Sequence, residues 1–401
     1  MAYDEHEQSA SALASADEAR SLVSCIERYH TPFSALPFDD VDSLVLSSLS
    51  YLNYERYLLE DVESARPVPL IDILRFTPNE ELTCGSWLKD GDDVPDFLRA
   101  VACSVRYRTL AACLYAHEAP QNIDKQFCAV TFVADDMPPY VAYRGTDGTV
   151  AGWREDFDLA YKDIIPSHTA ALRYLSGVLS SLSDEPCVNV GGHSKGGNLA
   201  EYAAACIDEA GFSRIAAVYN HDGPAFLQAP SPRFDLEAYR SRCRKTIPES
   251  SIFGMILERR VDYRVVHSDA FTVFQHRPFN WLTSGHDFSY ADELNDNARL
   301  FDDVLDSWLR SSTPEQRQIF LDTLFDLVKS TEASNWEEFQ ASFASNIPSL
   351  LRKQSDLDDE TREVMASVMS RLVSQARSAT VGYLSDRFSD FATRVKRGRE
   401  R

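Results

Sequence analysis

Basic residues are in short supply. The chain of 401 residues carries 40 Lys and Arg against 62 Asp and Glu, a formal net charge of −22. A surface that negative repels nucleic acid and anionic membranes at long range, so no nucleic-acid partner is expected. The eight cysteines are scattered from Cys25 to Cys243, and none forms a C-x-x-C pair or joins histidines at zinc spacing. They read as small buried thiols in a reducing compartment, and no metal site is expected. No apolar run approaches the roughly 18 residues that a membrane span needs. The opening Met1 to Glu7 lacks the basic start and apolar stretch of a secretory signal, so the expected location is cytoplasmic. Neither G-x-x-x-x-G-K-[ST] nor G-x-G-x-x-G fits the chain, so no cofactor is expected. There are no internal repeats and no low-complexity tract.

What is present is enough to build a large core. Hydrophobic residues make up 44% and aromatics 11%, a composition that argues against long disorder. The length suits one large α/β domain with an appendage. Three zones are visible. Residues 1–38 are rich in Ala, Ser and Glu, with Leu13, Leu22, Val23 and Ile26 as apolar points. They read as a helical segment ended by Pro32 and Pro37. Residues 39–310 alternate helix-like and strand-like stretches. Helices are predicted over 41–54, 169–182 and 195–210, the last ending at Gly211. Strands are predicted over 127–134, 140–143, 187–191, 214–219 and 261–266. That alternation predicts a mostly parallel sheet flanked by helices. Residues 311–401 change character, with apolar residues at helical spacing such as Val364, Met365, Val368, Met369 and Leu372. They predict a C-terminal helical region, a cap or an oligomer surface, closed by the basic stretch Arg394 to Arg401.

One motif carries chemistry. Gly192-His193-Ser194-Lys195-Gly196 matches G-x-S-x-G. A serine between a buried strand and a helix must sit in a strained turn, and small residues two before and two after let strand and helix approach. The hydroxyl then projects above the sheet while the helix N-terminus faces a developing oxyanion. The pattern alone is weak, but strand-like Cys187-Val188-Asn189-Val190 comes before it and helix-like Asn198 to Ala205 after it, which is the context it demands.

An activated serine needs a base, and the base an orienting acid, in the chain order Ser, acid, His. Downstream histidines are His221, His267, His276 and His286; His276 lies in a loop-like stretch ten residues past a strand. The acids are Asp222, Glu249, Asp262 and Asp269. Asp222 stands just past the end of the 214–219 strand, the edge where open sheets place their active-site groups. Glu249 also reads as an acidic residue in a first helical turn. The loop after Tyr143-Arg144-Gly145-Thr146-Asp147 is placed to give one oxyanion N–H, with Lys195 giving the other. Asp156, in the following Trp153 to Phe157, reads as a brace for Arg144 or the loop.

Taken together the motifs resemble the class 3 lipase group of α/β-hydrolases, and within it the Mbeg-like family. The pieces are Phe38 to Ser47, Ala142 to Asp147, Gly152 to Phe157, Gly191 to Ala200, Tyr219 to Pro224, Pro248 to Met255 and Gln275 to Trp281, in the family's order. The helical C-terminal zone lies outside them. The resemblance implies an α/β-hydrolase fold and Ser194 as nucleophile, raises His276 above its rivals, and points to Thr146 in the oxyanion hole. There is one departure. Class 3 lipases carry their triad aspartate shortly before a Val-Pro pair, whereas here Arg244-Lys245-Thr246-Ile247-Pro248 holds none. The acid then falls to Asp222 or Glu249, with Asp269 a further option. The reading is a serine hydrolase for a small-molecule or lipid ester, with Ser194, His276 and Asp222 as its triad. The alternative is an inactive relative that keeps the fold as a binding or scaffolding module.

Overall fold

The computed structural model describes residues 19–28, 31–58, 66–86, 88, 93–119, 125–147, 155, 159, 162–182, 187–251, 253–257, 262–270, 272–295, 298–299, 312–313 and 315–318. Among the described residues, nine strands form one sheet whose spatial order repeats the chain order. They are β1 (Val68–Pro69), β2 (Ala111–Glu118), β3 (Phe127–Ala134), β4 (Met137–Tyr143), β5 (Val188–His193), β6 (Ile215–His221), β7 (Cys243–Pro248), β8 (Tyr263–Val266) and β9 (Tyr290–Ala291). From β4 to β8 every pairing is parallel. The pairings among β1 to β4, and that of β8 with β9, are antiparallel. The sheet is therefore mixed rather than mostly parallel. The cause is connection length: two residues separate β3 from β4, room for a hairpin but not for a crossover helix. A second, three-stranded sheet joins Arg20–Ser21, Leu282–Ser284 and Asp287–Phe288.

Three helices cover the parallel region: α1 (Asp40–Leu49), α2 (Pro166–Ser181) and α3 (Lys195–Cys206). The period-two alternation of β4 decides which covers which face. Tyr140 and Ala142 join the core that holds Leu44, Val45 and Leu49 of α1. Val141 and Tyr143 join Val188, Val190 and Val218 beneath Ala171 and Leu175 of α2 and Leu199 and Ala203 of α3. Asp39 caps α1 through a reciprocal pair of bonds with Asp42. Asp42 also accepts from Arg106 and the Tyr107 hydroxyl, which ties this buried helix to the body.

The predicted helix over 195–210 is in fact two. α3 stops at Cys206, Ile207 turns extended, and Asp208 caps a separate helix, Glu209–Ser213, that contains Gly211 rather than ending at it. In the N-terminal zone a helix runs from Leu22 to Arg28 and buries Leu22, Cys25 and Ile26 in the α1 core; Leu13 lies outside the described residues. So does the C-terminal helical region, apart from 312–313 and 315–318. Among the described residues, no helix is long and apolar enough to cross a membrane.

Candidate active site

Ser194 lies between the last residue of β5 and the first of α3, with φ 58° and ψ −135°. That backbone is strained for a residue with a side chain, by about 1–3 kcal/mol. Two bonds hold it: the Ser194 N–H donates to the His221 carbonyl at 2.9 Å, and the Ser194 carbonyl accepts from Gly197 N–H at 2.9 Å. The flanking glycines are steric necessities. A β-carbon on Gly196 would lie 2.9 Å from the carbonyl carbon of Tyr143, and one on Gly192 2.5 Å from the Gly196 carbonyl oxygen. Both obstacles are backbone and cannot rotate away. His193 and Lys195 are buried on either side, while Ser194 keeps part of its surface open.

Asp222 emerges beside it. β5 and β6 pair His193 with His221, so the next residue of each strand leaves the sheet at the same edge. The two turns touch, since a β-carbon on Gly223 would collide with the Ser194 carbonyl oxygen. Asp222 is fully buried and its carboxylate is fully used. Oδ1 accepts from the Ser251 hydroxyl at 2.5 Å and from the Gly254 N–H at 3.1 Å; Oδ2 accepts from Nδ1–H of His276 at 2.6 Å. A carboxylate can only accept, so Nδ1 of His276 carries the proton and Nε2 is left as the basic nitrogen.

His276 closes a 3-10 turn, Thr272–His276, and its ring sits 4.5 Å from that of His193 and 4.3 Å from that of Phe253. The tether to the Ser194 turn is direct: Nε2–H of His193 donates to the His276 carbonyl at 2.7 Å. His193 is thereby fixed in one tautomer, and its Nδ1 lies 3.2 Å from the Tyr51 hydroxyl. Burial, and then the neighbouring His276, push the His193 pKa well below the usual histidine range, so the ring stays neutral. Among the described residues no hydrogen bond joins Ser194 Oγ to His276 Nε2.

The remaining candidates are placed elsewhere. His267 bonds Glu249 at 2.8 Å, a half-buried pair of its own. His221 is buried between the Ser43 and Thr246 hydroxyls at 2.8 and 2.7 Å. His286 lines a different cleft with Asp39, Arg244 and Arg264. Asp262 and Asp269 are exposed, and neither bonds His276. Asp156 lies outside the described residues, and Nε and Nη2 of the buried Arg144 find no partner among the described ones.

Thr146, half-buried, follows the end of β4, where the Arg144 N–H donates to the Cys128 carbonyl at 2.9 Å. The amide of Lys195 is at the first position of α3, outside that helix's own ladder. The Lys195 side chain, read from sequence only for its backbone, turns out to be a buried cation. Nζ bonds Glu155 at 2.9 Å and the Gln126 carbonyl at 3.0 Å, with both charged side chains fully enclosed. Burial alone would raise the Glu155 carboxyl. The Lys195 charge and bonds from Ser167, Lys195 and the Gln126 N–H outweigh it and hold the group below the ordinary carboxylate range. Sequence reasoning passed over Ser251, Gln126, Glu155, Ser167 and His193. One signal was there: a lysine in a turn between a buried strand and helix must find an acid.

A family model described as Mbeg1-like matches residues 101–326, more than half of the chain, and the chain belongs to that family. No curated protein matches it. A solved structure, the crystal structure of M37 lipase, is similar at 13% identity over 53% of this chain and 68% of that one, with a TM-score of 0.31. At that level the likeness carries no argument about activity.

Proposed function

We propose that this Mbeg1-like chain is a serine hydrolase that cleaves a carboxylic ester through an acyl-enzyme. The observation that carries the reading is the Asp222–His276 bond of 2.6 Å, which leaves Nε2 of His276 as the basic nitrogen of a ring packed on His193, the residue before a serine in a strained strand-to-helix turn. In this reading Ser194 Oγ attacks the ester carbonyl as Nε2 takes its proton. The tetrahedral oxyanion is met by the N–H groups of Thr146 and Lys195. The intermediate collapses, the C–O bond to the leaving group breaks, and Nε2 returns the proton to the departing alkoxide. Water then repeats the sequence on the acyl-serine, releasing the acid and restoring Ser194. Asp222 keeps the tautomer and steadies the imidazolium. In this reading Nε2 of His276 bonds Ser194 Oγ once substrate is in place, as catalytic hydrogen bonds that are long or absent in unliganded sites commonly do.

The test is active-site labelling. A fluorophosphonate probe is expected to modify the purified protein once, on Ser194, and to leave Ser194→Ala and His276→Ala unmodified. An unlabelled wild type, or labelling that survives Ser194→Ala, refutes the reading in favour of a non-catalytic binding module.

A further inference from the structure

The two groups assigned to the oxyanion lie far apart in the chain, at positions 146 and 195. Their mutual placement has to be enforced by something other than the peptide between them. A set of hydrogen bonds centred on Gln126 supplies a strut. Gln126, immediately before β3, is gripped at both ends of its backbone. Its N–H donates to Glu155 Oε2 at 3.0 Å, and its carbonyl accepts from Lys195 Nζ at 3.0 Å. Glu155 is clamped in turn, accepting from Lys195, the Ser167 hydroxyl at 2.8 Å and the Ser167 N–H at 3.0 Å. From this fixed point the Gln126 side chain reaches out, and its Oε1 accepts from the N–H of Asp147 at 3.3 Å.

Asp147 is the residue after Thr146. The loop that leaves β4 is therefore pinned at Arg144 by Cys128 and at Asp147 by Gln126, with Thr146 between the pins. The other end of the strut is the side chain of Lys195, whose own amide is the second oxyanion donor. A continuous path thus runs from one donor to the other: Thr146, Asp147, Gln126, Lys195. Oxyanion donors act only within about 2.7–3.1 Å of the developing charge, and misplacement by about 1 Å costs on the order of 100-fold in rate.

We infer that Gln126 is a positioning residue that fixes the Thr146 loop relative to the nucleophile's turn, with the enclosed Lys195–Glu155 pair as its anchor. The inference rests on the hydrolase reading above, but its geometry stands without it. It also explains why the position after the nucleophile holds a lysine: the cation binds the carbonyl of the residue whose side chain holds the opposite loop.

The experiment uses the full chain and leaves the ion pair intact, since breaking it risks the fold. Gln126→Met keeps the length and loses the acceptor; Gln126→Glu restores an acceptor oxygen. Hydrogen exchange of the segment around Thr146 and Asp147 is read without any substrate. Gln126→Met is expected to exchange there at least about tenfold faster than wild type, and Gln126→Glu to recover. On a short-chain nitrophenyl ester, Gln126→Met is expected to lower kcat by about 10- to 100-fold with KM within about threefold, and to weaken a trifluoromethyl ketone inhibitor by the same factor. Unchanged exchange at 146–147, or a kcat loss that follows the folded fraction and is not rescued by Gln126→Glu, overturns the inference. Labelling of Ser194 at the wild-type rate in Gln126→Met overturns it while leaving the hydrolase reading standing. Absence of labelling in wild type overturns that reading, and exchange alone then decides on the strut.

Discussion

Replacing Asp222 by asparagine tests the site at its most constrained atom. The side chain is fully buried and receives three donors: the Ser251 hydroxyl, the Gly254 N–H and Nδ1–H of His276. An asparagine of the same shape has one oxygen and one NH₂. Two donors converge on the Oδ1 position, so the amide oxygen settles there and the NH₂ faces His276. That NH₂ cannot accept the Nδ1 proton. His276 must switch tautomer, carry its proton on Nε2, and lose the basic nitrogen that Ser194 requires. A tautomer error of this kind lowers kcat by about 1,000- to 10,000-fold, or about 4–5.5 kcal/mol of barrier. KM should move little, because Asp222 is sealed off from any substrate. The Ser251 and Gly254 bonds survive, so stability should fall by only about 1–3 kcal/mol. The assay is hydrolysis of nitrophenyl butyrate with circular dichroism on the same samples, and Glu249→Gln as the comparison. Glu249 is committed to His267, so its variant should stay within about twofold of wild type. Asp222→Asn turning over within threefold of wild type, or Glu249→Gln falling as far, would refute the assignment of the acid.

Two further outcomes follow from the packing. Burial holds His168 down to about 4, and the bond from its Nε2 to Asn198 only partly opposes this. The unfolded chain therefore binds a proton between pH 6.5 and about 4 that the folded one refuses, and stability is lost as the pH falls through that window. Removing the group should reduce the pH slope of unfolding free energy by about 1.4 kcal/mol per pH unit near pH 5; urea titrations of wild type and His168→Gln at pH 7.5, 6 and 5 with identical slopes would contradict this. Gly196→Ala forces a methyl against the Tyr143 carbonyl at the junction of β4 with β5, and is expected to cost more than about 3 kcal/mol and abolish probe labelling; a variant with wild-type melting temperature and labelling would refute the steric account of the turn.

The parts of this site that could be read from sequence are those fixed by local rules. Ser194 was legible because a strand, a tight turn and a helix lie within about twenty residues and demand small neighbours. Asp222 was legible because it follows a strand directly. β7 escaped because Cys243-Arg244-Lys245-Thr246-Ile247-Pro248 shows no apolar run; of its buried positions Lys245 and Thr246 are polar, with Thr246 spent on His221. β2 escaped because its ladder is interrupted between Cys113 and Ala116, with Leu114 at φ 52°, so no clean alternation survives. The rest is long-range. Lys195 meets Glu155 and Gln126 across separations of 40 and 69 residues, and His193 meets His276 across 83. No periodicity encodes such pairings, because they are consequences of the finished sheet. The mixed sheet itself followed from a hairpin only two residues long, which outweighed the α/β alternation as a guide to strand direction.

The bond from the His193 ring to the His276 peptide has a mechanical consequence. The imidazole does not ride on a free arm. Its own main chain is moored to the neighbour of Ser194, so thermal excursions of the two groups are correlated, and whatever drags the 3-10 turn sideways pulls on the end of β5 as well.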